Sequence, residues 1–183
     1  IRASKRGAIM VTAHYGNWEL GGAFVAAMGI PIRAVVRPVS SPALERIFQF
    51  FREQRGIQLI PLAQAGVGII KALKRGDVVA LVGDRDFTGN GRPHSFFGRP
   101  VSLPRGAAWF AHRTGIPLYL AFATRAPDDT FLFRIHPPID PAQVKTEEEI
   151  QDRLVAIMED TIARDPCQWF IFEPFWPAPD SPP

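Results

Sequence analysis

The sequence predicts an α/β domain in which helices flank a largely parallel central sheet. Three observations support this prediction. Short apolar runs of strand length alternate with segments of helical period, glycine and proline separate these segments, and neither a linker nor an internal repeat divides the 183 residues. That length suits one domain covering residues 1–183, and 46% hydrophobic with 21% charged residues exclude a disordered chain.

The first predicted strand and helix meet at His14. Residues 8–13 form a short apolar run that is typical of a buried strand, and this run ends at His14. A turn follows, in which Asn17 is a good N-cap. Residues 18–28 then have the composition of an apolar helix, which Gly29 stops.

A second strand, a second helix and a third strand follow. Residues 32–36 have strand character, and Ser41 precedes a proline at the first position of the next helix. This helix runs to Gly56 and repeats apolar residues at spacings of three and four. Its apolar face comprises Leu44, Ile47, Phe48 and Phe51. A short strand at residues 58–60 and a helix at residues 67–74 complete this part.

The second half of the chain begins with its most strand-like run, residues 78–82. This run leads into a glycine-containing segment, residues 84–100, which we predict to be a loop. The remaining predicted elements are helices at 104–114 and 147–164, strands at 118–124 and 131–135, and an irregular proline-rich tail at 177–183.

Composition excludes several function classes. The net charge of +3 fits an anionic partner such as a phospholipid surface or an acidic carrier protein, but is too small to indicate nucleic acid. The single cysteine, Cys167, cannot form an internal disulfide, and no Cys/His cluster has the spacing of a metal site. No apolar run approaches the roughly 20 residues of a membrane-spanning helix.

His14 and Glu19 form an H-x4-E motif. Residues five apart on one helix point about 140° apart, so the two side chains approach only if His14 lies in the turn before the helix. A neutral imidazole there can take a proton from an alcohol that attacks a thioester, and a nearby carboxylate stabilises the imidazolium. The spacing alone is equally consistent with a turn-stabilising histidine and a helix-start glutamate.

A second cluster follows the strand at residues 78–82. Asp84 is a candidate to orient His14, and Arg85 a candidate to hold an anionic part of the substrate, because sites in parallel sheets form at the carboxyl ends of strands. The alternative is an aspartate-rich turn in which Asp84, Arg85 and Asp86 form a local ion pair. The aromatic loop with Phe87, Phe96 and Phe97 either borders an acyl channel or touches a membrane, and the alternative is that Phe96 and Phe97 pack as core.

Two further arginines have two interpretations each. Arg37 follows a strand end, where its guanidinium can bind a phosphate or a carbonyl. Its alternative is a surface salt bridge. Arg55 has the same interpretations, although a cation that stabilises the helix C-terminus is the stronger one there.

Several segments together resemble a known family. They are VTAHYGNWEL, VVRP, an RG pair, a lysine-containing helix, GDRDF with a downstream FFG, and the C-terminal stretch from Gln168 to Pro177. In this order they resemble the bacterial lipid A biosynthesis (late) acyltransferases and the related phosphatidylinositol mannoside acyltransferases, which belong to the H-x4-D/E glycerolipid acyltransferase superfamily.

The resemblance implies roles for individual residues. It implies His14 as the catalytic base and Glu19 as the acid of the motif, with Asp84 also in the catalytic site. Whether Glu19 or Asp84 partners His14 stays open at this point. The predicted substrate-binding residues are Asn17, Arg37, Arg55, Arg85 and Asp86.

The resemblance also implies partners and a location. The acceptor is a membrane glycolipid, the donor is an acyl-carrier protein or acyl-CoA thioester, and neither a metal nor a cofactor is expected. We expect the protein at the cytoplasmic face of the bacterial inner membrane, either peripheral or anchored by an N-terminal segment that is missing here, because family members carry a hydrophobic region ahead of the motif.

Two other functions compete with acyl transfer. A lipid hydrolase with a Ser-His-Asp or Cys-His arrangement is disfavoured, because the chain has no G-x-S-x-G nucleophile motif and Cys167 follows a proline. The other alternative is a noncatalytic lipid-binding module of the same fold.

Overall fold

The computed structural model describes residues 6–177, which form eight strands and five α-helices. The strands are β1 (Ala8–Thr12), β2 (Ile32–Val36), β3 (Ile57–Pro61), β4 (Val78–Val82), β5 (Arg92–Phe96), β6 (Arg99–Leu103), β7 (Leu118–Arg125) and β8 (Phe131–Ile135). The helices are α1 (Trp18–Ala27), α2 (Pro42–Gln54), α3 (Ala65–Lys74), α4 (Gly106–Thr114) and α5 (Glu147–Arg164). The end of the predicted tail, 178–183, lies outside the described residues.

The central sheet has six strands in the order β3-β2-β4-β1-β7-β8. The first five of these run parallel, and β8 pairs antiparallel with β7 at one edge. The predicted α/β class with a largely parallel sheet is therefore confirmed. The carboxyl ends of β1 and β4, which are direct neighbours, meet at the same edge of this sheet.

Helices cover both faces of the sheet. Alternate residues of β1 point to opposite sides, so Ile9 and Val11 pack in the core with α3, α4 and α5, whereas Met10 packs with Val25 of α1. Every residue from Ala8 to Val11 is buried. A strand that is buried on both faces needs apolar side chains at every position, which is why this segment reads as a continuous apolar run.

Helix α2 differs from the other helices because it has no buried residue. Ser41 accepts a hydrogen bond from Leu44 N–H and proline occupies the first turn, as predicted. The predicted apolar face forms, yet Leu44, Ile47, Phe48 and Phe51 remain 43–50% exposed. Across residues 6–177, none of the helices combines the length and apolar character that a membrane crossing needs.

The prediction of a loop over residues 84–100 is wrong for the second half of this segment. Strands β5 and β6 form an antiparallel hairpin in which Phe96 pairs with Arg99. The two turn residues, Phe97 and Gly98, both have positive φ, as a tight hairpin requires. Each strand contains a proline, and only Val101, Ser102 and Leu103 of β6 alternate between apolar and polar side chains, so the segment has a weak local strand signal.

Candidate active site

The sheet register brings His14 and Asp84 together. Strand β1 pairs with β4 so that Thr12 lies opposite Val82, and Gly83 N–H donates to the Thr12 carbonyl at 2.8 Å. His14 lies two residues after Thr12, and Asp84 lies two residues after Val82. Parallel pairing therefore places two side chains that are 70 positions apart in sequence at one point on the carboxyl edge of the sheet.

Asp84 contacts the imidazole of His14 at the ring nitrogen Nδ1. Nδ1 lies 2.8 Å from Asp84 Oδ1, and Asp84 Oδ2 accepts from His14 N–H at 2.9 Å and from the indole N–H of Trp169 at 3.0 Å. Asp84 is fully buried, and the two N–H groups at Oδ2 suit a carboxylate, which only accepts. A carboxylate beside Nδ1 favours the tautomer that carries the ring proton there, which leaves Nε2 with a free lone pair.

The other side of the imidazole is open. The side chain of His14 is 23% exposed, and the rings of Trp18 and Phe87 approach it edge-on, with centroids 5.1 Å and 6.4 Å away. Aromatic edges thus limit the orientation of the ring without covering it. A molecule at the surface can reach a basic nitrogen whose opposite side is fixed to a buried carboxylate.

Glu19 contacts Arg52 rather than the imidazole. The Arg52 Nε–H lies 3.1 Å from each carboxylate oxygen of Glu19, which joins α2 to the start of α1. Glu19 lies in the first turn of α1 with its side chain 44% exposed. The H-x4-E spacing therefore directs this acid toward α2, and of the two predicted acids it is Asp84 that partners His14.

Two arginines flank Phe87 beside the imidazole. The guanidinium carbon of Arg37 lies 4.7 Å from the centre of the Phe87 ring, and that of Arg85 lies 5.0 Å from it. Arg85 also pairs with Glu173 at 2.6 Å. Arg37 is exposed and has no ion pair among residues 6–177. Phe87, which also contacts His14, thus brings two cations to the site. The substrate contacts predicted for Arg37 and Arg85 stay predictions.

Asn17 and Arg55 have structural contacts. The side-chain oxygen of Asn17 accepts from Leu20 N–H at 2.9 Å, which confirms the predicted N-cap. Arg55 donates to the Phe51 carbonyl at 3.0 Å and lies two residues before β3, at the amino edge of the parallel sheet. His14 lies at the opposite edge. The substrate contacts predicted for Asn17 and Arg55 stay predictions.

Asp86 organises the loop that carries Asp84. Its Oδ1 accepts from the Thr88 N–H and hydroxyl at 2.9 and 2.7 Å, and its Oδ2 accepts from Gly91 N–H at 2.7 Å. Burial raises the pKa of Asp86, but the hydrogen bonds from Thr88 and Gly91 outweigh burial, so its pKa lies below the ordinary value of 3.8. Its predicted substrate contact stays a prediction.

The Asp86→Ala variant is expected to be less stable than the wild type at pH 7. Because the folded-state pKa of Asp86 is lowered, its contribution to stability is complete above the ordinary pKa of 3.8 and disappears as the pH falls through the lowered value. Denaturant unfolding at pH 7 and pH 3 measures this, and the difference between the two proteins should shrink at pH 3.

Asp128→Ala is the matched control for Asp86→Ala. Asp128 makes the same contacts to Thr130, through the N–H at 3.1 Å and the hydroxyl at 2.7 Å, but at a site on the β7–β8 connection. Loss of either carboxylate should lower stability, whereas only Asp86→Ala should also disturb the contact between His14 and Asp84. An unchanged NMR signal of the His14 ring in both variants would contradict a link between this loop and the site.

Sequence patterns did not indicate two residues of the site, Arg52 and Trp169. Each makes its contact across a long sequence separation, 33 positions for Arg52 and 85 for Trp169. No local spacing signals such contacts. Trp169 was noticed only as part of the C-terminal stretch that resembles the family.

Phe96 is fully buried, so the core interpretation holds for this residue, whereas Phe87 and Phe97 are partly exposed.

In the described part of the chain, His14 has no hydrogen-bonded side chain that could act as a covalent nucleophile. Within residues 6–177, no serine, threonine or cysteine side chain forms a hydrogen bond with its ring. Cys167 is exposed and lies in a short 3-10 turn after α5. In that same part of the chain, no group of three or more His, Cys, Asp or Glu side chains is arranged to hold a metal ion.

The mostly parallel α/β sheet, with a histidine–aspartate pair at its carboxyl edge, is consistent with the acyltransferase fold. The sequence-family model of the bacterial lipid A biosynthesis acyltransferases matches residues 1–177 of this chain. The chain belongs to this family.

Two curated relatives are phosphatidylinositol mannoside acyltransferases from Mycolicibacterium smegmatis and from Mycobacterium tuberculosis (strain CDC 1551 / Oshkosh). Both are 27% identical to this chain, over 94% and 96% of its length. The chain spans 58% and 56% of their own lengths.

Proposed function

We propose that the protein transfers a fatty acyl group from a thioester donor, an acyl-carrier protein or acyl-CoA, to a hydroxyl group of a membrane glycolipid. The observation that carries this proposal is the 2.8 Å contact between His14 Nδ1 and a fully buried Asp84, with the imidazole partly open to solvent. Family membership and the names of the relatives support the class of reaction.

The proposed step needs one base and no covalent enzyme intermediate. Nε2 of His14 takes the proton of the acceptor hydroxyl while its oxygen attacks the thioester carbonyl. The attack forms a C–O bond and a tetrahedral intermediate, which collapses to the ester as its C–S bond breaks, and the departing thiolate takes the proton back from the imidazolium. Asp84 stabilises the imidazolium between these two events. The proposed reaction steps require neither a metal nor a cofactor.

The surroundings of His14 suit an anionic lipid. The two arginines at Phe87, Arg37 and Arg85, supply guanidinium groups that match the geometry of phosphate oxygens. Trp18 contacts Phe170, which stacks on Phe172, and Phe172 is 89% exposed. Cations and exposed aromatic rings therefore lie beside the same imidazole, as binding of a phosphate-bearing glycolipid requires.

This surface also supports contact with a membrane, which we propose to be the cytoplasmic face of the inner membrane. Exposed aromatic side chains beside arginines are suited to the interface between lipid headgroups and acyl chains. The substrates in this proposal include a membrane lipid, so the site has to reach the bilayer surface. Sedimentation with vesicles that contain anionic lipid tests this membrane contact, and failure to co-sediment would contradict it.

Mass spectrometry of the reaction product tests the proposed function. The protein is incubated with palmitoyl-CoA or the corresponding acyl-carrier protein thioester, and with a phosphatidylinositol mannoside or a lipid A precursor. Acyl transfer adds one acyl chain to the acceptor. Thioester or lipid hydrolysis without acylated product would favour the hydrolase, and binding without any turnover would favour the lipid-binding module.

The Arg37→Ala variant should raise the KM for the glycolipid about tenfold while changing kcat little, because a guanidinium that binds a phosphate in the ground state contributes to uniform binding. Arg55→Ala is the matched control, since Arg55 also lies over a phenylalanine ring but contacts the end of α2. Initial rates over a range of acceptor concentrations measure both. An unchanged KM in Arg37→Ala would contradict the role.

A further inference from the structure

The C-terminal segment 168–170 runs along the turn that carries His14. Gly16 N–H donates to the Gln168 carbonyl at 2.9 Å, and Phe170 N–H donates to the His14 carbonyl at 2.7 Å. Between these two bonds, Trp169 forms an antiparallel bridge with Tyr15. The backbone around Trp169 therefore fixes the backbone around His14, although the two segments lie at opposite ends of the chain.

Trp169 also reaches the partner of His14. Its indole N–H donates to Asp84 Oδ2 at 3.0 Å, and the backbone N–H of His14 donates to the same oxygen at 2.9 Å. Two donors on Oδ2 leave Oδ1 for the imidazole, at 2.8 Å. This arrangement fixes which carboxylate oxygen faces the ring and prevents the carboxylate from rotating.

Aromatic packing holds the indole in place. The Trp169 ring contacts the rings of Phe96, Phe97, Phe175 and Trp176, with centroids 4.9–6.2 Å apart. The indole N–H is a donor only, and a carboxylate is a charged acceptor that strengthens such a bond. The ring is thus fixed before any substrate arrives, so that the N–H contact needs no rearrangement during the reaction.

We propose that Trp169 is a positioning residue for the reaction, acting through Asp84 to hold His14 in its proton-accepting orientation. This inference rests on the proposed function, in which His14 is the base. Trp169 itself does not touch the reacting atoms. The C-terminal stretch thereby contributes to catalysis through one hydrogen bond, in addition to its packing against the core.

Trp169→Phe tests this role with Trp176→Phe as its control. Both variants keep an aromatic ring and lose one indole N–H from the same aromatic cluster, because Trp176 donates to the Phe96 carbonyl at 3.0 Å. We expect kcat to fall about ten- to a hundredfold in Trp169→Phe with KM nearly unchanged, as for loss of a hydrogen bond to a charged acceptor. Trp176→Phe should stay within about threefold of wild type.

A substrate-free measurement separates this inference from the proposed function. In protein labelled with ¹⁵N-histidine, the Nδ1 proton of His14 gives a downfield resonance that is assigned by its loss in Asp84→Asn. This resonance should shift or broaden in Trp169→Phe and stay in place in Trp176→Phe. Absence of acyl transfer in the wild type would overturn the proposed function, while the resonance would still report on Trp169.

Two results would overturn the role of Trp169. In the first, Trp169→Phe retains both the wild-type kcat and the wild-type His14 resonance. In the second, Trp176→Phe loses as much activity as Trp169→Phe, which would assign the effect to packing of the aromatic cluster.

Discussion

Replacement of His14 by alanine is expected to lower the rate of acyl transfer roughly 10²–10⁴-fold, the usual contribution of a general base. The alcohol acceptor is a poor nucleophile at neutral pH, and no other side chain in the described residues has the same partly exposed imidazole held by a buried carboxylate. Initial rates at saturating thioester and acceptor measure the loss, and thermal unfolding checks that the variant folds.

His94→Ala is the control for His14→Ala. His94 also pairs with an aspartate, since its Nε2 lies 3.3 Å from Asp152, but this pair joins β5 to α5, and Asp152 is largely exposed. Loss of this histidine should leave the transfer rate close to that of wild type. A His14→Ala protein that keeps more than about a tenth of the wild-type rate would contradict the general-base role.

Asp84→Asn is expected to lower kcat by roughly 10³-fold, because an amide cannot stabilise the imidazolium and favours the wrong ring tautomer. The three N–H donors around Asp84 also leave no acceptor for the amide NH₂. A buried group with an unmatched donor costs about 1–3 kcal/mol of stability, so the melting temperature should fall as well. Steady-state kinetics and calorimetry measure the two effects.

Glu19→Gln distinguishes between the two candidate acids. Glu19 pairs with Arg52 at a partly exposed position, where an ion pair contributes at most about 1 kcal/mol. A glutamine keeps one acceptor oxygen for Arg52, so kcat should fall by less than about tenfold. If Glu19→Gln were as damaging as Asp84→Asn, the carboxylate that supports His14 in the reaction would have to be reassigned.

The fold was largely predictable because strands in a parallel sheet that is buried on both faces have a strong local signal. Residues 8–12 and 78–82 are apolar at almost every position for this reason. The hairpin of β5 and β6 gives no such signal, because its strands lie outside the central sheet and contain prolines. The burial of Phe96, Val101 and Leu103 ties this hairpin to the core.

The candidate site was predictable to the extent that it depends on strand ends. His14 and Asp84 each follow an apolar strand, and parallel strands bring their carboxyl ends to one edge. Which acid contacts the ring depends on the register of β1 and β4 and on the direction of the Glu19 side chain. Both are tertiary properties. The indole N–H of Trp169 at Asp84 likewise depends on how the chain returns to β1 after α5.

The most direct test of the central claim is a crystal structure of the protein with a glycolipid acceptor and a non-hydrolysable thioester analogue. We expect the acceptor hydroxyl oxygen about 2.6–3.2 Å from Nε2 of His14, while Nδ1 stays on Asp84. A hydroxyl bound away from His14, or an imidazole that has left Asp84 in this complex, would contradict the account.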